Sequence, residues 1–253
     1  MKKFILSLFY SSLAICFFFL LPVFTGTAAP VQQQTMDVAW SAFDGQRFEI
    51  YYTTVQNKAS GGKVQITNDQ YNNMHPSLAI DGKGTLWLVW TAMNGENNKL
   101  FFTKKSNGSW SFPKEIETGL QSGIAPTIVI GPGGKPWIAW AGFNGKNDDI
   151  YVSSWNGTAW APARRIHPAN EVPDILPVIS MENGKLTVTW QAYDGDQYQH
   201  YTSSWNGHGW SQLQPEPTLL KSIRLKGKEK KEALELQLPA DIKPVGKPAL
   251  LVR

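Results

Sequence analysis

Val89-Trp90-Thr91-Ala92-Met93-Asn94-Gly95 is the phrase on which the fold turns, because it recurs. Fifty residues on stands Ala139-Trp140-Ala141-Gly142-Phe143-Asn144-Gly145, and fifty further Thr189-Trp190-Gln191-Ala192-Tyr193-Asp194-Gly195. Fifty residues before it stands Ala39-Trp40-Ser41-Ala42-Phe43-Asp44-Gly45. A short apolar-aromatic run follows each phrase: Ile50-Tyr51-Tyr52, Leu100-Phe101-Phe102, Ile150-Tyr151-Val152 and His200-Tyr201. Self-similarity at this period marks a repeated supersecondary unit.

One unit reads as four short strands. Pro76–Ile80 is the first, and Asp81-Gly82-Lys83-Gly84 turns the chain into Leu86–Met93. Asn94-Gly95 leads to Leu100–Lys104, and Asn107-Gly108 to Trp110–Ile116. Aromatic and β-branched runs bounded by Gly, Asn and Asp are strand and hairpin signals. Residues 30–216 show no helical period. Along the second strand, Leu86, Leu88, Trp90 and Ala92 share one face, and Trp87, Val89 and Thr91 the other. Both faces lack charge and differ in bulk, as stacked sheets require. The expected fold is all-β: a small β-propeller of about four four-stranded blades. A fifth, divergent blade built from the tail is the alternative.

The expected organisation is a signal peptide over 1–29, propeller repeats over 30–216, and a basic tail over 217–253. The blades fall near 30–70, 75–120, 125–170 and 175–216. Lys2 and Lys3, the apolar run from Phe4 to Phe24, and small residues up to Ala29 make the export signal. This predicts a secreted, periplasmic or cell-envelope protein, held at a membrane only if that segment is uncleaved. The first unit begins at its second strand. Lys247-Pro248-Ala249-Leu250-Leu251-Val252 resembles His75-Pro76-Ser77-Leu78-Ala79-Ile80, so this C-terminal strand is expected to close the ring. Ser222–Leu225 competes for that place. Residues 218–246 would form a hairpin turning at Lys226–Lys231.

The formal charge of +4 hides an asymmetry. Residues 30–216 hold 13 Lys and Arg against 16 Asp and Glu, whereas 217–253 hold 9 against 4. The basic character belongs to the tail, so it gives no case for a nucleic-acid partner. The one cysteine, Cys16, lies in the signal run, which leaves the mature part without disulfide or thiol chemistry.

The phrase from Pro76 to Gly82, with Trp87, Trp90, Phe101-Phe102 and Ser106–Ser111, resembles the sialidase-type propeller repeat. Ser153–Trp160 and Ser203–Trp210 resemble that family's Asp-box (BNR) motif, Ser-x-Asp-x-Gly-x-Thr-Trp. Trp155 or Trp205 stands at the Asp position, and Ala159 or Gly209 at the Thr. The resemblance implies the fold over residues 35–216, with the boxes as structural turns. It would also imply three arginines clamping a carboxylate, a Tyr–Glu nucleophile, an Asp acid/base and an Arg-Ile-Pro motif. Residues 30–216 contain only Arg47, Arg164 and Arg165, and no Arg-Ile-Pro. The sequence therefore favours binding over catalysis.

The turns after the second strands and the links between blades share one end of a propeller. The candidate ligand-binding residues there are Asp44, Asn94, Asn144, Asp194, His75, His167, Asp196 and Tyr198. Amide, carboxylate and aromatic groups suit sugars. The same oxygens could hold a Ca²⁺ ion. No cofactor motif and no metal-ligand spacing of histidines is present. The expected function is an exported, non-catalytic binding module for a glycan or protein ligand. A divergent glycoside hydrolase or lyase, and an envelope interaction scaffold, are the alternatives.

Overall fold

The computed structural model describes residues 35–56, 59–95, 97–168, 170–193, 195–215 and 244–253. The signal segment, Asp194 and the expected hairpin up to residue 243 lie outside the described residues, and so does the rival strand Ser222–Leu225.

Among the described residues there are four antiparallel sheets, one per repeat, each with its outer positions taken by short strands. Blade 1 contains β1 (Thr35–Phe43), β2 (Phe48–Gln56), β3 (Ala59–Ser60) and β4 (Val64–Gln65). Blade 2 contains β5 (Asn72–Ile80), β6 (Leu86–Met93), β7 (Lys99–Ser106), β8 (Ser109–Trp110) and β9 (Lys114–Glu115). Blade 3 has β10 (Ser122–Ile130), β11 (Pro136–Phe143), β12 (Asp148–Ser154) and β13 (Arg164–Arg165). Blade 4 has β14 (Asp174–Glu182), β15 (Lys185–Tyr193), β16 (Tyr198–Ser204) and β17 (Gln214–Pro215). The C-terminal strand β18 (Ala249–Val252) pairs antiparallel with β1, from Met36 opposite Val252 to Ala39 opposite Ala249. It fills the place that the first repeat lacks, as the sequence predicts.

The repeated tryptophans occupy one register position in successive sheets. Trp40, Trp90, Trp140 and Trp190 face Tyr51, Phe101, Tyr151 and Tyr201 across the ladder. Their ring centroids lie 5.9, 6.0, 6.0 and 6.2 Å from those partners. All four indoles are almost wholly buried. At about 25 cal/mol per Å² of apolar area, each stabilises the fold by a few kcal/mol. Trp90 packs with Ala39, Ile50 and Tyr52 of blade 1. Trp140 packs with Val89, Leu100 and Phe102 of blade 2, and Trp190 with Ala139, Ile150 and Val152 of blade 3. Small residues of one blade thus receive the indole of the next.

The innermost strands are laced together. Each carries a register shift, at Met74/Ser77, Ile124/Thr127 and Ile175/Val178. The proline there has no N–H for the ladder, and the residue before it, His75, Ala125 or Leu176, takes a positive φ of 52–55°. After the proline, the Ser77 hydroxyl accepts the Ile128 amide at 3.2 Å and Thr127 accepts the Ile179 amide at 3.1 Å. Blade 4 has Val178 at that position, which has no hydroxyl to offer and is 54% exposed. The lacing therefore runs from blade 2 to blade 4 and stops. The expected closure of the ring is corrected in part: the C-terminal strand completes the first blade, but among the described residues no buried cluster joins blade 4 to blade 1, so the strand does not close the blades into a ring.

Candidate functional site

Two regions bear on function, at opposite ends of the blades. The first is the end to which the sequence assigns the candidate residues. There Asp44 spends its carboxylate on its own turn, accepting the Gln46 and Arg47 amides at 2.7 and 2.9 Å. Those backbone donors hold its carboxyl below the usual range. Asn94 donates its backbone N–H to the Asn98 side chain at 3.3 Å. Asn144 accepts the Lys146 amide at 3.0 Å and donates to Asp149 at 2.9 Å. Asp196 is exposed on the blade 4 turn. Tyr198 is 51% exposed and its ring lies 5.3 Å from that of Tyr193. His75 is exposed on the innermost strand of blade 2.

His167 is brought near Asn144 through Asp149, which is buried and not a solvated turn residue, and His167 also meets Asp174 of the blade link. Its ring is buried in the seam between blades 3 and 4, stacked on Trp190 at 5.5 Å. His167 Nε2 lies 3.4 Å from Asp174 Oδ2 and 3.9 Å from Asp149 Oδ1. Ligand atoms of the three residues lie within 4.8 Å of one another, a spacing that could hold a metal ion. The surrounding bonds describe a different use. The Ile150 amide donates to His167 Nε2 at 3.1 Å, occupying its lone pair, while Nδ1 faces the Pro168 carbonyl at 2.8 Å. Arg165 pairs with Asp149 at 3.1 Å, Asn170 donates to Asp174 at 2.8 Å, and the Trp190 indole donates to Asp174 at 2.7 Å. Burial raises the Asp174 carboxyl above its ordinary range, and the Asn170 and Trp190 donors only partly offset it.

The seam between blades 1 and 2 repeats the scheme with other residues. Thr67 accepts the Ile50 amide at 2.8 Å, as His167 does for Ile150. Asn73 accepts the Trp90 indole at 2.8 Å, as Asp174 does for Trp190. Glu49, buried like Asp149, accepts from Thr67 and Asn73. Two seams solving one problem with different chemistry identify these buried groups as ties between blades. A signal for them is present in the sequence: Glu49 and Asp149 stand nine residues after Trp40 and Trp140, and Thr67 and His167 are one hundred apart.

The second region is a cleft of about 530 Å³ at the other end, between blades 2 and 3. Its rim comes from the turns after the first strands, Asp81–Thr85 and Gly133–Pro136, and from Trp155–Gly157. Asp81 builds one wall. Its Oδ1 accepts the Lys83 and Thr85 amides at 2.9 and 3.0 Å, and its Oδ2 accepts the Trp87 indole at 3.1 Å. Burial alone would raise this carboxyl, but those donors outweigh it and hold it below the usual range. Trp155, half-buried, lies 5.2 Å from Trp87 and 5.6 Å from Trp160. The Asn156 side chain accepts the Thr158 and Ala159 amides, both at 2.9 Å, so the turn is capped one residue beyond the box position held by Trp155. Lys104 Nζ lies 5.4 Å from both the Trp87 and Trp155 centroids, a cation–π arrangement.

No protein-family model matches the chain, and no curated protein matches it in sequence. Solved structures do match. A Dyadobacter fermentans protein of unknown function superposes with a TM-score of 0.56 at 9% identity, over 66% of this chain and 58% of that one. A Trypanosoma rangeli sialidase in complex with the inhibitor DANA superposes with a TM-score of 0.51 at 14% identity, over 70% of this chain and 36% of that one. The chain thus spans less than two thirds of either structure. At such identities the likeness is one of fold, and the fold is a sialidase-like propeller.

Proposed function

We propose that this chain is an exported, non-catalytic carbohydrate-binding propeller whose site is the cleft between blades 2 and 3. The observation that carries this reading is the half-buried Trp155 at the cleft, backed by the buried Trp87 that Asp81 holds, beside the Thr85 and Ser106 hydroxyls. Sugars bind where apolar ring faces and hydrogen-bonding groups alternate. The volume lies in the usual range for small-molecule sites, about 300–1,000 Å³. Export follows from the signal-like start of the sequence.

Glycan-array screening of the full chain tests the reading, with Ser106→Trp as the blocking variant. Ser106 is exposed at the cleft rim, so a large side chain there obstructs the cleft without touching a core residue. The expected result is binding to a defined set of glycans that the variant loses while its melting temperature is kept. Glycan binding unchanged by Ser106→Trp would place the site elsewhere.

A further inference from the structure

Resting on that reading, we infer that the cleft takes an acidic polysaccharide, one bearing carboxylate or sulfate-ester groups. Lys83, Lys104 and Lys135 surround the cleft, and none has an ion-pair partner among the described residues. The single carboxylate in the wall, Asp81, has both oxygens occupied by backbone and indole donors. It keeps its negative charge, so the three lysines leave a net charge of about +2 at the cleft. The cleft is therefore a local excess of positive charge on a body, residues 30–216, whose net charge is negative. That contrast makes the basic patch a specific feature of this site and not a reflection of overall charge.

Geometry adds to charge. The Lys104 ammonium lies 5.4 Å from both the Trp87 and the Trp155 centroid, and those two rings are 5.2 Å apart, so it sits at the edge of the aromatic pair on the cleft side. A sugar ring laid against Trp155 brings its equatorial substituents toward that ammonium, while Lys83 and Lys135 flank it from the two turns. A neutral sugar would leave the three cations unmatched. An acidic one pairs them, with charge-assisted hydrogen bonds stronger than neutral ones. The aromatic wall supplies affinity for the ring, and the lysines select its charge.

The test measures binding of the full chain to three polymers by affinity electrophoresis and calorimetry: a uronate polymer, a sulfated galactan and a neutral glucan. Lys104→Gln with Lys135→Gln is the cleft variant. Lys228→Gln, Lys230→Gln and Lys231→Gln together control for the basic tail. The expected result is binding to at least one acidic polymer, weakened about tenfold or more by the cleft variant and by raised salt, and unchanged by the tail variant. The uronate and sulfate arms show which acidic group is preferred. Equal binding of the neutral glucan, blocked by Ser106→Trp but indifferent to the lysines, would overturn this inference and leave the carbohydrate reading standing. Acidic binding lost in the tail variant would overturn it in favour of the tail. No binding to any polymer or array glycan would remove both.

Discussion

Arg253 reaches back to Asp37: the guanidinium Nε lies 2.7 Å from Asp37 Oδ2, joining β18 to the strand it pairs with. Asp37 is fully buried, and its other oxygen accepts from Tyr52 and from Arg253 Nη2 at 2.9 Å. Burial, with the Asp37 hydrogen bond second, pushes the Tyr52 phenol up to about 12. This latch ties residues more than two hundred positions apart. Arg253→Gln should cost about 1–3 kcal/mol, because it strips charge from around a buried carboxylate. Urea unfolding measures it. A double cycle with Asp37→Asn should show a coupling of about 1 kcal/mol, and additive effects would mean that the latch does not stabilise.

The seams make unequal demands on their tryptophans. Trp90 and Trp190 donate to Asn73 and Asp174, whereas Trp140 Nε1 has no acceptor among the described residues. The position matching Asn73 and Asp174 is Gly123, which stands opposite Gly142 as Asn73 stands opposite Ala92. Trp90→Phe and Trp190→Phe should therefore each cost about 1–3 kcal/mol more than Trp140→Phe in chemical denaturation. Equal losses at all three would contradict the assignment of these bonds as ties.

Gly142 replaces the alanine found in the other three phrases. A Cβ there would stand 2.5 Å from Leu120 Cδ1, 2.8 Å from Tyr151 Cδ2 and 3.0 Å from Trp140 Nε1. The Gly142→Ala variant should lose about 1–3 kcal/mol by overpacking, although alanine serves in every other blade. A melting temperature at or above that of the parent would show that this seam has slack.

Glu49 titrates above the ordinary carboxylate range, chiefly because it is buried, with Asp69 and Asp44 adding repulsion and Thr67 and Asn73 opposing. The folded chain holds this proton more tightly than the unfolded one. Its contribution to stability is present below the unfolded value and is lost as pH rises through the folded value. Unfolding free energies measured across that window should fall with rising pH, and Glu49→Gln should reduce the fall. An identical slope in the variant would show that Glu49 does not carry it.

The fold was legible because a propeller writes its period into the chain. One position per blade, from Trp40 to Trp190, must be a large apolar group against a small one, and the repeat shows it. The pairing of β18 was legible for the same reason, through the likeness of Lys247–Val252 to His75–Ile80. The seam chemistry was legible only as spacing, because Thr67 and His167 stand one hundred residues apart and do one job with different side chains. Asp44 and Asn144 were legible as turn residues, and the structure shows their side chains spent on those turns. The cleft was the hardest to see. It needs Asp81 to fix Trp87 and a turn near Trp155, seventy residues further along, to stand beside it. Only the packing of blade 3 on blade 2 makes them neighbours.

Hydrogen-exchange mapping of the chain with and without a bound acidic oligosaccharide tests the account most directly. Slowed exchange in segments 81–87, 133–137 and 155–158, with the turns at 44–48, 94–95 and 144–148 unchanged, is the predicted pattern. Slowing confined to those latter turns would contradict it, because the ligand would then sit at the opposite end of the blades.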